Sequence, residues 1–147
     1  MSRHRARERA LQTLFQLDIN DLDQEQAVQY TQTVLTETLG ERSINMKYFR
    51  ELVSGVLDHI TYIDSILNRY SQEWEVSRMP GVDRSILRVA LYELLFQEDM
   101  PPAVVIDEAV SLCKTYGTER SYKFVNGVLS GILGDLSGLR ERRLETL

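Results

Sequence analysis

The chain has 147 residues, with 17 lysines and arginines against 22 aspartates and glutamates, a net charge of −5. That length suits one compact domain or two small subdomains sharing a core. A single cysteine, Cys113, excludes an internal disulfide and gives no zinc cluster. No apolar run approaches a membrane span and nothing at the N-terminus resembles a signal peptide, so a cytoplasmic location without a membrane partner is expected.

The overall acidity argues against nucleic acid, but the charge is unevenly placed. Arg3, Arg5, Arg7 and Arg9 sit with His4 in the first nine residues, opposed there only by Glu8. Arg140, Arg142 and Arg143 form a second basic group near the C-terminus. Local fields decide what a surface attracts.

Arg3 to Asp18 reads as a first helix, with Ala6, Ala10, Leu11, Leu14 and Phe15 at helical spacing. Its arginine-rich first turn is unfavourable, because the helix dipole already places positive charge there. Arg5 and Arg9 lie four residues apart, as do Arg3 and Arg7, making two basic rows suited to bidentate phosphate binding. An ordinary solvated basic end explains the same composition equally well. His4 is expected in a mobile end.

Asp23 with Gln26 resembles a capping box, and a second helix is expected over about 24–39, stopped by Gly40. Asn45 is expected to cap a third helix, with Phe49, Leu52, Val53, Val56 and Leu57 inward. The periodicity runs on through Ile60, Ile63, Ile66, Leu67 and Tyr70, so a break is expected near 58–61, where Thr61 and Asp64 have cap spacing. Trp74 lies in a connector and is expected to close one side of the core.

The central element follows. After Pro80-Gly81, the run from Asp83 reads as a helix over about 83–97 with Asp83 as N-cap. Its apolar residues cover most of the circumference, and Arg84, Arg88 and Tyr92 form one polar stripe. A helix apolar nearly all round is surrounded by others. Pro101-Pro102 ends this segment.

Ala103 to Tyr116 is a further amphipathic helix, with Gly117 suited to a left-handed C′ position. Thr118 can cap a last helix over roughly 119–136. Gly127 and Gly131 weaken that helix unless a neighbour approaches closely there. The tail 138–147 is expected to fray. No alternating strand appears. The reading is all-α, about seven helices in two packed bundles, with subdomains of about 1–79 and 80–137.

No phosphate loop, HExxH, CxxC, EF-hand loop or GxSxG is present, so no enzymatic activity, cofactor or metal is expected. His59 reads as a surface or capping residue, and Cys113 as a buried thiol. One further stretch carries a signal: Ser121-Tyr122-Lys123-Phe124-Val125-Asn126-Gly127. A lysine beside an edge aromatic near a helix N-terminus suits a phosphate and a stacked base, and the Asn126 amide suits a base edge. Taken alone, Phe124 as core with Lys123 in solvent is the simpler reading.

Together these stretches resemble the NusB family of bacterial transcription antitermination factors, over nearly the whole chain. The resemblance is carried by Arg5-Ala6-Arg7-Glu8 with Ala10-Leu11-Gln12, by Val82 to Leu94, by Pro102 to Ile106 with Asp107-Glu108-Ala109-Val110, by Lys114-Thr115-Tyr116-Gly117, and most clearly by Lys123-Phe124-Val125-Asn126-Gly127-Val128-Leu129. It implies two packed helical bundles and binding of boxA-type single-stranded RNA from ribosomal RNA operons. It also implies a small-subunit ribosomal protein, NusE, as partner, acting with other Nus factors on RNA polymerase. Carried over residue by residue, it implies an RNA surface of Arg3, Arg5, Arg7, Lys123, Phe124 and Asn126, and a protein-partner surface including Asp83 and Arg84. Arg9 and Arg120 lie where no fixed family residue is expected. Some members form homodimers that cover the RNA surface, which leaves both states open here. The competing reading is a pure protein-interaction module whose basic end is incidental. A NusB-like domain also precedes the catalytic part of some RNA methyltransferases, but 147 residues leave no room for a Rossmann-like domain.

Overall fold

The computed structural model describes residues 3–20, 45–146 and, between them, Glu25, Gln26, Gln29, Tyr30 and Thr33. The second helix expected over 24–39 lies outside the described residues except at those five positions. Among these residues there are seven α-helices and no strand. They are α1 (Arg3–Ile19), α2 (Met46–Asp58), α3 (Ile60–Tyr70), α4 (Gly81–Phe96), α5 (Pro102–Tyr116), α6 (Glu119–Gly134) and α7 (Leu136–Thr146), with a 3-10 turn at Val76–Arg78. The chain is all-α.

α4 is the axis of the fold. Every residue from Ser85 to Leu95 is buried, and α4 packs against each of the other six helices. α1 packs most closely on α2 before it, and α5 on α6 after it, so two helical groups meet on α4. Leu87, Leu91, Leu94 and Leu95 are fully buried. Cutting any of them to alanine would cost about 2–5 kcal/mol.

Local chemistry explains most boundaries. The Asn45 side chain accepts from Tyr48 N–H at 3.1 Å and starts α2. The expected break falls at His59, which ends α2 and begins α3 without a side-chain cap. Asp64 does not cap there. Both its oxygens accept from Arg88, at 2.9 and 2.8 Å. His59 instead stacks on Phe96, with centroids 4.2 Å apart. Pro80 is the N-cap of α4, which therefore starts two residues before the position expected. Asp83 lies inside the first turn and is buried, so it is not the cap.

Thr118 caps α6 as expected, accepting from Ser121 N–H at 3.1 Å. Gly117 has φ −107°, so it is not left-handed. A Cβ there would stand 2.8 Å from Ser121 Cβ and 3.0 Å from Cys113 O, and this tight turn is what excludes a side chain. Gly131 is approached by Tyr70, at 3.2 Å from an added Cβ, whereas Gly127 faces open space.

The tail does not fray as expected, but forms α7 and buries Leu139. Arg140 Nε donates to Leu94 O at 2.8 Å and Arg143 donates to Leu95 O. Arg143 also reaches Glu98 at 2.6 Å. Two cations thus satisfy carbonyls that α4 leaves open at its C-terminus, where the dipole favours positive charge.

Candidate nucleic-acid interface

The first turn of α1 carries its arginines to different places. Arg3 and Arg5 are exposed and Arg9 is half-buried. Arg7 is buried, at 3% exposure. Its Nε and Nη2 donate to Glu93 Oε1 and Oε2 at 2.8 and 2.9 Å. The Tyr48 hydroxyl donates to the same Glu93 Oε2. Arg7, expected on the RNA surface, is therefore an interior residue: helical periodicity turns it toward α4, onto a carboxylate that would otherwise be buried alone. Burial works against the charged guanidinium, but Glu93, Tyr48 and Glu108 together outweigh it and raise the Arg7 pKa. Burial first, then the charge of Glu93, raises the Tyr48 phenol.

The remaining first-turn groups are also tied down. Arg3 lies over the Tyr48 ring, 4.8 Å from its centroid. His4, expected in a mobile end, has Nδ1 2.7 Å from Glu108 Oε2 and Nε2 3.4 Å from Glu8. The Tyr116 hydroxyl donates to Glu8 at 2.7 Å and accepts from Gln12 at 3.1 Å. Arg5, Glu8, Arg9, Gln12 and Tyr116 line one concavity of about 170 Å³. Tyr116 thus lies against the basic turn, and the chain runs from it through Gly117 into α6.

On α6, Lys123 is exposed and Asn126 half-buried. Phe124 is 8% exposed and meets Trp74 edge-on, with centroids 4.8 Å apart. The ring expected to stack on a base is therefore packed among core side chains, with Trp74 edge-on to it. Trp74 is half-buried and carries Arg120 over its ring at 5.3 Å. α1 and α6 both pack on α4, and side-chain hydrogen bonds tie α1 to α5.

The two residues expected to face a protein partner also differ. Asp83 is 2% exposed, one of its carboxylate oxygens lacks a hydrogen-bond partner, and burial raises its pKa despite a hydrogen bond from Ser121. It cannot present a charge to a partner in this conformation. Arg84 is half-buried and bridges elements, donating to Asp18 on α1 and to Val76 O at 2.9 Å. Asp18, Asp64, Glu75, Arg84 and Arg88 line an open concavity of about 460 Å³. Cys113 is buried, and burial followed by the Asp83 charge pushes its thiol up to about 12, leaving it unreactive. Among the described residues, no group of His, Cys, Asp and Glu is arranged to hold a metal. No described helix is long and apolar enough to cross a membrane.

Sequence reasoning passed over Glu93, Tyr48 and Tyr116. Glu93 had a signal: one acid within the apolar arc of a helix destined for the interior needs a buried cation. Tyr48 and Tyr116 had none, because a tyrosine on an amphipathic helix reads as ordinary core.

Comparison with known proteins places this geometry. The NusB family model matches residues 4–133. The transcription antitermination protein NusB of Lysinibacillus sphaericus is 42% identical over 130 residues, covering 88% of this chain and 95% of that one. NusB of Pelotomaculum thermopropionicum is 44% identical over 133 residues, 90% of each chain. Among solved structures, NusB of T. maritima superposes with a TM-score of 0.78 at 38% identity, over 90% of each chain. A structure described as antitermination factors NusB and NusE in complex with dsRNA gives a TM-score of 0.76 at 32% identity, over 90% of this chain and 97% of that one. On sequence and fold alike, this chain belongs to the NusB family.

Proposed function

We propose that this chain is a transcription antitermination factor that binds boxA-type single-stranded RNA of ribosomal RNA operons together with NusE, and helps RNA polymerase read through terminators alongside other Nus factors. It acts in the cytoplasm as a binding protein rather than an enzyme. The observation that carries the reading is the family match over residues 4–133, which spans the arginine-rich start from His4 and the stretch 121–127. The relatives named as antitermination proteins, and the NusB relative solved with NusE and RNA, support it.

Three exposed cations support a mechanism for this reading. Arg3 and Arg5 are exposed at the start of α1, and Lys123 near the start of α6. These cations neutralise phosphates, while the half-buried Asn126 amide offers both a donor and an acceptor to a base edge. The open concavity between α1, α3 and α4, lined in part by Arg84, offers NusE a surface of mixed charge. Titration of boxA RNA at two salt concentrations, alone and with NusE, tests this. Binding that weakens with salt and tightens with NusE is expected. Absent or salt-independent binding in both cases rejects the reading.

A further inference from the structure

We infer that Arg7, Tyr48 and Glu93 form a buried positioning cluster that fixes the first turn of α1 and so sets where Arg3 and Arg5 meet a phosphate backbone. The inference rests on the RNA-binding reading above and assigns a role to residues buried beneath the surface.

The geometry is that of an anchor. Two parallel hydrogen bonds from one planar guanidinium to one carboxylate fix rotation as well as distance, which a single point contact does not. Arg7 is on α1, Glu93 on the fully enclosed α4, and Tyr48 on α2, so three helices meet at one carboxylate. Arg3 then lies 4.8 Å over the ring of that same Tyr48. Met100 Sδ lies 3.6 Å from Arg7 Nη2 and 4.0 Å from Arg3 Nη1. The placement of Arg3 is therefore tied to the cluster through Tyr48 and Met100.

The cluster also answers a physical difficulty. Several cations crowd the positive end of α1, where dipole and mutual repulsion both favour fraying. A frayed turn spreads Arg3 and Arg5 over many positions, and ordering them on RNA then costs affinity. Anchoring Arg7 inside removes one charge from the surface and holds its neighbours in register. An apolar filler of equal volume could match the stability but would not dictate the rotation of the turn.

The test uses the full chain with Tyr48→Phe, which removes only a hydroxyl, and Glu93→Gln, which keeps the shape and removes the charge. Amide hydrogen exchange is read without RNA at Arg7 to Leu11, whose N–H groups are the first that α1 itself bonds. Affinity for single-stranded boxA RNA is read over a series of salt concentrations. In both variants the first-turn amides exchange faster, while those of Leu91 and Leu94 follow global stability only. RNA affinity falls by about tenfold, and the slope of log affinity against log salt becomes shallower by about 0.7 for each phosphate no longer neutralised. Arg5→Ala, by comparison, weakens RNA without changing exchange. Unchanged first-turn exchange in both variants overturns the positioning role alone, as does faster exchange with intact affinity and slope. No RNA binding by the unaltered chain overturns the RNA reading and this role with it. Where Glu93→Gln fails to fold, Tyr48→Phe carries the test.

Discussion

Arg7 and Glu93 stand 86 positions apart in the chain and meet in two hydrogen bonds of 2.8 and 2.9 Å, almost completely shielded from water. Removing one partner strands the other. Arg7→Ala is expected to cost about 3–5 kcal/mol, because the Glu93 carboxylate is left buried and unpaired. Arg7→Met combined with Glu93→Leu should recover much of that loss. Urea unfolding of the single and double variants decides it. A double variant less stable than Arg7→Ala would show that the cost lies in packing rather than in the stranded charge.

Gly55 gives a prediction of opposite sign to the usual helix rule. Glycine to alanine within a helix normally gains up to about 1 kcal/mol. Here an added Cβ would stand 2.2 Å from two ring atoms of Tyr92. Gly55→Ala is expected to destabilise by about 1–3 kcal/mol through overpacking. Thermal unfolding would show a lowered midpoint, and an unchanged or raised midpoint would refute the close approach.

Asp83 makes stability depend on pH in an unusual direction. Burial raises its pKa above the ordinary 3.8, so the folded chain holds this proton at pH values where the unfolded chain has released it. From this group alone, stability is greatest below the unfolded pKa and falls as pH rises from there through the raised folded value. Asp83→Asn should therefore gain stability relative to the parent at pH 7 and lose that advantage toward pH 3. Denaturation midpoints at the two pH values check the sign, and an advantage that grows on acidification would contradict it.

The proposed RNA surface separates direct binding from support. Arg5→Ala should weaken boxA and scrambled RNA alike and reduce the salt slope by about 0.7. Phe124→Leu keeps most of the apolar volume against Trp74 and should leave RNA affinity nearly unchanged, whereas Phe124→Ala should destabilise the fold by about 3–5 kcal/mol. A large, boxA-selective loss in a well-folded Phe124→Leu chain would restore the ring to direct base stacking.

Much of the fold was legible because periodicity and punctuation agree. The apolar circumference of α4 marked it as the enclosed helix, Asn45 and Thr118 marked their caps, and the apolar run past Leu57 called for a break that His59 supplies. The site was less legible. Alternate arginines at a helix start look alike in sequence, yet Arg7 stands three, four and seven residues before Ala10, Leu11 and Leu14, in register with the buried face, while Arg5 does not. Phe124 beside Lys123 is ambiguous, because helix position alone does not reveal that Trp74, some fifty residues earlier, closes over the ring. Arg140 and Arg143 read as a loose charged tail because their acceptors, two backbone carbonyls of α4, have no signature among side chains.

Those two carbonyls lie 46 and 48 positions ahead of the arginines that bond them. A chain growing from its N-terminus therefore makes its innermost helix long before that helix can be finished. Until residues 140–143 leave the ribosome, water must serve the carbonyls at the end of α4 where Arg140 and Arg143 later sit. Nascent chains halted before position 140 should accordingly stay sensitive to protease around Phe96, and become resistant once those arginines emerge.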